Sequence, residues 1–337
     1  MIQRLGAGTL LFEHMPRIAG FAAVAGKKEA EGPLGTLFDR IVYDSYGGMA
    51  TYEDAESALQ HTAAGLAMEK AGVSAADMDA VFAGDLLNQC VGSTFGLKDY
   101  RMPYIGQYGA CSTMAQTLLT GAVFAASGAA NHVLCVTSSH FCAAERQYRF
   151  PLEYGAVRTP TAQWTVTAAG SCVLGHSGSI GVRAATAGKI NDYAVTDANN
   201  MGAAMAPAAA ETILRFLSDT RTAIGDYDAV FTGDLGAVGS GLLYELLEKE
   251  GVDIRTRHND CGLLIYDRER QDVHAGGSGC GCSASVLCAK ILPDLQSGRL
   301  RNVLFIATGA LLSATTAGQG KSIPSIAHLV QLVRPEM

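Results

Sequence analysis

The sequence predicts a duplicated α/β fold, two similar halves that each set helices against a largely parallel sheet. Three observations predict it. An eight-residue segment, Asp79-Ala-Val-Phe-Ala-Gly-Asp-Leu86, returns as Asp228-Ala-Val-Phe-Thr-Gly-Asp-Leu235, 149 residues later in a chain of 337. The elements around the two copies follow one another in the same order, as a structural repeat requires. The strands read as short, continuous apolar runs, the pattern of sheets covered on both faces.

Ahead of the first copy, Ala55, Leu59, Ala63 and Leu66 recur at helical spacing within Thr51 to Ala71. Thr51 and Asp54 form a capping box at its start and Gly72 stops it. Ahead of the second copy, Pro207 to Leu217 reads as another helix, with Pro207 in the first turn. After each copy comes a small-residue turn, a helix and a buried strand. The first set is Tyr108-Gly-Ala-Cys-Ser-Thr113 and His132-Val-Leu-Cys-Val-Thr137. The second is Gly276-Gly-Ser-Gly-Cys-Gly-Cys-Ser283 and Asn302-Val-Leu-Phe-Ile-Ala-Thr308. The halves are expected at residues 1–180 and 181–337.

A formal charge of −7 without any dense Lys/Arg cluster excludes a sequence-independent nucleic-acid binder. The 48% hydrophobic fraction and 39 glycines fit a large, closely packed core. Nine cysteines without a scaffold spacing read as reduced, cytoplasmic thiols. Met1 to His14 lacks the basic start and apolar stretch of a signal peptide. Leu118 to Val136, interrupted by Asn131 and His132, reads as a buried helix plus a strand, not a membrane span. The expectation is a soluble protein that reaches a membrane only through a partner.

Cys111 is the first candidate for chemistry. It follows Gly109 and Ala110 and opens a helix, and a helix N-terminus lowers a thiol's pKa. A small buried residue is the plain alternative. His258-Asn-Asp-Cys261 with His274, Cys280, Cys282 and Cys288 lacks paired Cys-x-x-Cys knuckles, so no metal site is expected. Gly276 to Gly279 lacks the ending of a phosphate loop. Trp164, the single tryptophan, suits either a lid or a dimer contact.

A duplicated α/β chain with a cysteine at a helix start in its first half resembles the thiolase and ketoacyl-synthase superfamily. Ordered motifs narrow this: Ala83-Gly-Asp-Leu-Leu-Asn-Gln89, Gly109-Ala-Cys-Ser-Thr113, Thr137-Ser-Ser-His140, Ala144-Glu-Arg-Gln-Tyr-Arg-Phe-Pro151, Met205-Ala-Pro-Ala-Ala-Ala210, His258-Asn-Asp-Cys-Gly262, Ala275-Gly-Gly-Ser-Gly-Cys280 and Ser322-Ile-Pro324. From about Phe12 to about His328 the chain resembles the stage V sporulation protein AD family of endospore-forming bacteria. That resemblance implies a thiolase-like, five-layered αβαβα body with two mixed, mostly parallel sheets, paired as a homodimer. It implies a spore protein that binds dipicolinic acid for uptake into the developing spore, with calcium travelling as its chelate and no other cofactor. The implied partners are the other stage V A-set proteins, several of them in the spore membrane, which places the chain in the cytoplasm or peripherally on the spore inner membrane.

Condensing enzymes of this fold take a base or oxyanion donor, usually His, from the second half. Here that place reads Gly233-Asp-Leu-Gly236, and a carboxylate there repels a developing thiolate. The Gly279 to Cys282 segment offers cysteine where these enzymes place Asn or His, and His258 or His140 could substitute in space, so an acyltransferase or condensing enzyme using Cys111 stays the alternative. For a planar dicarboxylate, Arg146 and Arg149 beside Tyr148 and Phe150, with His140 just ahead, offer cationic forks and stacking surfaces. Asp85 suits an accompanying calcium. The expected ligand residues are therefore Cys111, His140, Arg146, Arg149, Asp85 and His258. The alternative is that both arginines pair with Glu145 or Glu153 and fix a loop.

Overall fold

Uninterrupted apolar strands can be buried only where helices cover both faces of a sheet, and the computed structural model, which describes residues 1–149 and 157–335, shows this arrangement twice. The chain opens with a hairpin, β1 (Ile2–Leu5) and β2 (Thr9–Phe12), then β3 (Arg17–Gly26), α1 (Lys27–Ala30), β4 (Arg40–Val42) and α2 (Tyr52–Ala71). It continues through β5 (Ala80–Gly84), α3 (Val91–Leu97), β6 (Tyr104–Gly106), α4 (Thr113–Ala126), β7 (Val133–Ser139), α5 (Phe141–Tyr148), β8 (Trp164–Thr165) and β9 (Ala168–Gly175). Then come β10 (Ile180–Thr186), α6 (Met201–Thr220), β11 (Ala229–Thr232), α7 (Gly236–Lys249), β12 (His258–Asp260), α8 (Cys261–Leu264) and β13 (Gly277–Ser278). The chain ends with α9 (Cys280–Val286), a π turn over Leu287–Ile291, α10 (Leu292–Ser297), β14 (Asn302–Ala310), α11 (Ala314–Gly318) and β15 (Ser325–Val333).

The strand order β6-β5-β7-β9-β3 in the first half matches β12-β11-β14-β15-β10 in the second. In each, four strands run one way, and only β9 or β15 opposes them. The two sheets join at one corner, where β10 meets β3 through the Ile180–Ile18 and Gly181–Arg17 pairs. Helix α4 touches strands of both sheets, and α9 lies beside it against β3, β7 and β9. Helix α2 covers the outer face of the first sheet and α6 that of the second. The layering is αβαβα, as in the thiolase-like expectation. Close approach is built in at Gly170 of β9, where a Cβ would come within 2.3 Å of the Ala284 carbonyl oxygen.

The repeated octapeptide does the same work in both halves. Asp79 accepts hydrogen bonds from the Asn131 and His132 amides (2.6 and 3.2 Å) and so ties the start of β5 to β7. Asp228 accepts from the Arg301 and Asn302 amides (2.6 and 3.0 Å) and ties β11 to β14. The Asp54 amide donates to Thr51 Oγ1 at 3.1 Å, and Gly72 closes α2 in a left-handed conformation. One boundary differs from expectation. Helix α6 starts at Met201, capped by the Asn200 side chain, so Pro207 lies inside it and not in its first turn. Buried Ala204, Met205 and Ala206 extend the packed face N-terminal to the proline, which outweighs the one backbone bond that proline forgoes. Among the described residues, no helix is long and apolar enough to cross a membrane.

His328 on β15 is buried, and its Nδ1 accepts from the Gly188 amide at 3.1 Å. Burial, and then the nearby Arg215 charge, push its pKa down to about 4. The unfolded chain therefore takes up a proton near pH 6.5 that the folded state refuses until about pH 4. Its contribution is complete above pH 6.5 and is lost as pH falls through this window, by about 3 kcal/mol in all. Denaturant titrations from pH 7 to 4 should show this loss, and the loss should shrink in His328→Gln, which keeps an acceptor but does not titrate.

Candidate functional site

Cys111 lies at the bottom of a narrow cavity of about 50 Å³ between the two halves. The turn that carries it is strained: Ala110 has φ +49°, unusual for a residue with a side chain. Helix α4 begins at Thr113, two residues beyond the expected start, with Ser112 in the capping position. Cys111 is 8% exposed. Leu86, Ala144 and Tyr148 pack around it, together with buried Cys280.

The second half closes the site through Asp234, in the loop after β11. Its carboxylate accepts from Ser278 Oγ (3.0 Å), the Gly279 amide (2.9 Å) and Thr308 Oγ1 (2.8 Å). Ser278 Oγ in turn sits 3.8 Å from Cys111 Sγ. Strands β8 and β13 pair in parallel, Trp164 with Gly277 and Thr165 with Ser278, which fixes Ser278 in place. Trp164 is thus part of this scaffold, stacked on Phe141 at 3.8 Å. Gln163 Nε2 donates to the Asp234 and Gly277 carbonyls (2.7 and 2.8 Å) and clamps the two loops together. Gly279 adopts φ +108°, a conformation side chains disfavour, and a Cβ there would lie 2.7 Å from Ser139 Oγ.

The electrostatics reverse the expectation for Cys111. Burial and then the Asp234 charge push its pKa well above the ordinary thiol value. The start of α4 does not offset either effect, and Cys111 is a thiol, not a thiolate, at neutral pH. Cys280 is likewise pushed up by burial, and its Sγ donates to the Ser138 carbonyl at 2.9 Å. Cys282 points elsewhere, toward the Gly233 carbonyl at 3.7 Å. Among the described residues, no three His, Cys, Asp or Glu side chains converge as a metal site would need.

Of the residues singled out in the sequence and described in the structure, Cys111, Tyr148 and Arg149 line this cavity. Arg149 is paired with Glu145, one turn back, which also accepts from Thr165 Oγ1 at 3.2 Å. Arg146, on another face of α5, pairs with Glu53 and lies over the Tyr52 ring. His140 faces a separate cleft, where Nε2 bonds the Ser45 carbonyl at 2.8 Å and the ring stacks on Tyr52. Asp85 is fully buried beneath the site and accepts from the Leu87 and Ser93 amides and Ser93 Oγ (2.9, 2.7 and 2.6 Å). His258 is held between Thr232 Oγ1 and Tyr244 Oη, both at 2.8 Å, and burial depresses its pKa to about 4. Phe150 and Glu153 lie outside the described residues. Sequence proximity put His140, Arg146 and Asp85 near Cys111, but residues one after another on α5 face different sides, and Asp85, just past the end of β5, is buried against the start of α3. Ser278, Thr308 and Tyr108 were missed, and the small-residue runs that hold Ser278 and Thr308 were the one available signal.

A five-layered duplicated fold with a cysteine at the central helix start defines the thiolase-like class. The chain is similar to the 3-oxoacyl-[acyl-carrier-protein] synthase III of Aquifex aeolicus (13% identity, TM-score 0.57, covering 94% of this chain and 99% of that one). It is also similar to a variant of OleA from Xanthomonas campestris (13% identity, TM-score 0.60, 96% and 99%). At such identity the likeness is one of fold. The sequence narrows it: the profile of Stage V sporulation protein AD matches residues 6–333, and the Bacillus subtilis protein of that name is 42% identical over 330 residues, 98% of this chain and 97% of the relative. The chain belongs to the stage V sporulation protein AD family.

Two variants test the electrostatics. Asp234→Asn removes the charge that opposes the Cys111 thiolate, so the pH profile of Cys111 alkylation, followed by peptide mass spectrometry, should move to lower pH. Asp234→Ala leaves three buried donors without an acceptor and should cost about 3 kcal/mol of stability in denaturant titrations. An unchanged profile would remove Asp234 from the account of the thiol.

Proposed function

We propose that this sporulation protein binds dipicolinate, as its calcium chelate, in the Cys111 cavity, and does not perform acyl transfer. The observation that carries the reading is Asp234 beside a protonated Cys111. A condensing enzyme needs a thiolate and donors for a developing oxyanion. Here burial and then a carboxylate raise the thiol's pKa, and the carboxylate takes up the local donors itself. What remains is a recognition surface, with Arg149 as the cationic fork, Tyr108 and Tyr148 as flat walls and Met205 as an adaptable one.

Charge balance favours the chelate over the free dianion. Arg149 is already neutralised by Glu145, and Asp234 adds a buried carboxyl. Two ligand carboxylates would lose their hydration there with little compensation, whereas a one-to-one calcium chelate is neutral. The partners implied by the family are the other stage V A-set proteins, which would hold the chain peripherally on the spore inner membrane. A second copy fits the edge strand β6, whose three residues are exposed and which carries Tyr104 and Ile105, with Phe95 also exposed. Pairing would cover the unpaired strand edge.

Calorimetric titration with dipicolinate tests the binding role. Saturable heat should be stronger with equimolar calcium than with a calcium chelator present, and Arg149→Gln should weaken it by about tenfold or more. Absence of heat in every condition, together with an acyl mass shift on Cys111 after incubation with an acyl-CoA, would replace binding by acyl transfer. Ile105→Asp should convert a dimer to a monomer in sedimentation velocity, and a monomeric parent protein would remove the second copy.

A further inference from the structure

Beside the Cys111 cavity lies a second groove of about 320 Å³, lined by Asn88, Gln89, Gln147, Ser313 and Thr315 together with leucine and alanine side chains. Tyr108, Tyr148 and Leu312 line both spaces and so form the partition between them. The two tyrosine hydroxyls meet at 2.7 Å, and Tyr148 also bonds the Leu86 carbonyl. A carbonyl only accepts, so the Tyr148 hydrogen goes to Leu86 and Tyr108 must donate to the Tyr148 oxygen. The partition is therefore latched by a directed chain, Tyr108 to Tyr148 to Leu86.

We propose that the second groove is a vestibule in which the ligand docks first, and that Tyr108 and Tyr148 gate its passage to the Cys111 cavity. The inference rests on reading that cavity as a ligand site. Three observations support it. The Cys111 cavity, about 50 Å³ with the partition shut, is small beside the second groove. The vestibule lining carries no charged side chain and mixes neutral amides and hydroxyls with leucine and alanine side chains, which suits a ligand of no net charge, such as a metal chelate whose ion still has open positions for oxygen donors. The vestibule floor is also strained. Gln89 and Cys90 are consecutive left-handed residues with φ of 56° and 53°, and such strain gathers at ligand clamps and moving parts. Gln147 holds this segment from α5, its Oε1 accepting from the Asn88 amide at 2.9 Å and its Nε2 donating to the Leu86 carbonyl at 3.0 Å. The latch and the strained floor thus share the Leu86 carbonyl. Burial pushes the Tyr108 hydroxyl up to about 12 and raises that of Tyr148 further, so both stay protonated and the latch holds across the neutral range.

The test reads the gate without relying on any ligand. Cys111 alkylation by iodoacetamide is followed by peptide mass spectrometry, with half-buried Cys142 in the same molecule as the reference. Tyr108→Phe keeps the ring and removes one bond of the latch and should raise the Cys111-to-Cys142 rate ratio by roughly fivefold, while Tyr148→Phe removes both bonds and should raise it further. Thr315→Trp, which fills the vestibule from an exposed position, should lower the ratio. With calcium and dipicolinate in stopped flow, the phenylalanine variants should speed both association and dissociation. A ratio that stays at the parent value in both phenylalanine variants overturns the gate, whether or not dipicolinate binds. A raised ratio without dipicolinate binding keeps the gate and removes the ligand assignment.

Discussion

A single buried carboxylate, Asp234, joins the parts of the structure that have to meet. It takes hydrogen bonds from β13, from the first residue ahead of α9 and from β14, and these reach it from different directions. An ionised group held away from water survives only if its lone pairs are used. The loop after β11, the β8–β13 ribbon and the end of β14 are therefore committed to one geometry. The position of Ser278 beside Cys111, the turn at Gly279 and the start of α9 all follow from that constraint. Burial, and then this carboxylate, hold the Cys111 thiol well above its ordinary pKa.

The duplication makes this easier to see. The octapeptide carries two aspartates in each copy. The first of each pair, Asp79 or Asp228, caps the neighbouring strand in the same way. The second pair has diverged. Asp85 turns toward the start of α3 and binds the Leu87 and Ser93 amides, and its burial pushes its pKa up. Asp234 turns toward the interface between the halves and binds groups from β13 and β14. One repeat unit has thus produced a helix-end anchor in the first half and the centre of the site in the second.

Helix α5 and strand β8 act as a wall between two spaces. Ala144, Tyr148, Arg149 and Thr165 face the Cys111 cavity, whereas His140, Phe141, Cys142 and Trp164 face a wider cleft of about 870 Å³ beside β4. The alternation of a two-residue strand sends Trp164 and Thr165 to opposite sides. This division explains why residues adjacent in sequence do not share a site.

The repeat, the apolar strands, the helix caps at Thr51 and Gly72 and the placement of Cys111 at a turn into a buried helix were all legible from sequence, because each depends on local spacing or on internal similarity. Cover on both faces of each sheet also followed, since strands apolar on both faces require it, whereas the five-layered order came from the family resemblance. The start of α6 was misplaced because alanine-rich segments carry little periodic signal. Of the expected ligand residues, Cys111 and Arg149 line one cavity, whereas His140, Arg146, Asp85 and His258 lie elsewhere. Their positions depend on which face of α5 looks inward and on which buried donors each carboxylate or imidazole meets. The sequence by itself determined the duplicated architecture and placed an aspartate in the loop after β11. Only the tertiary structure decided that Asp234 there accepts donors from two separate segments, because those segments lie 44 to 74 residues away along the chain and meet only when both sheets close on the central helices.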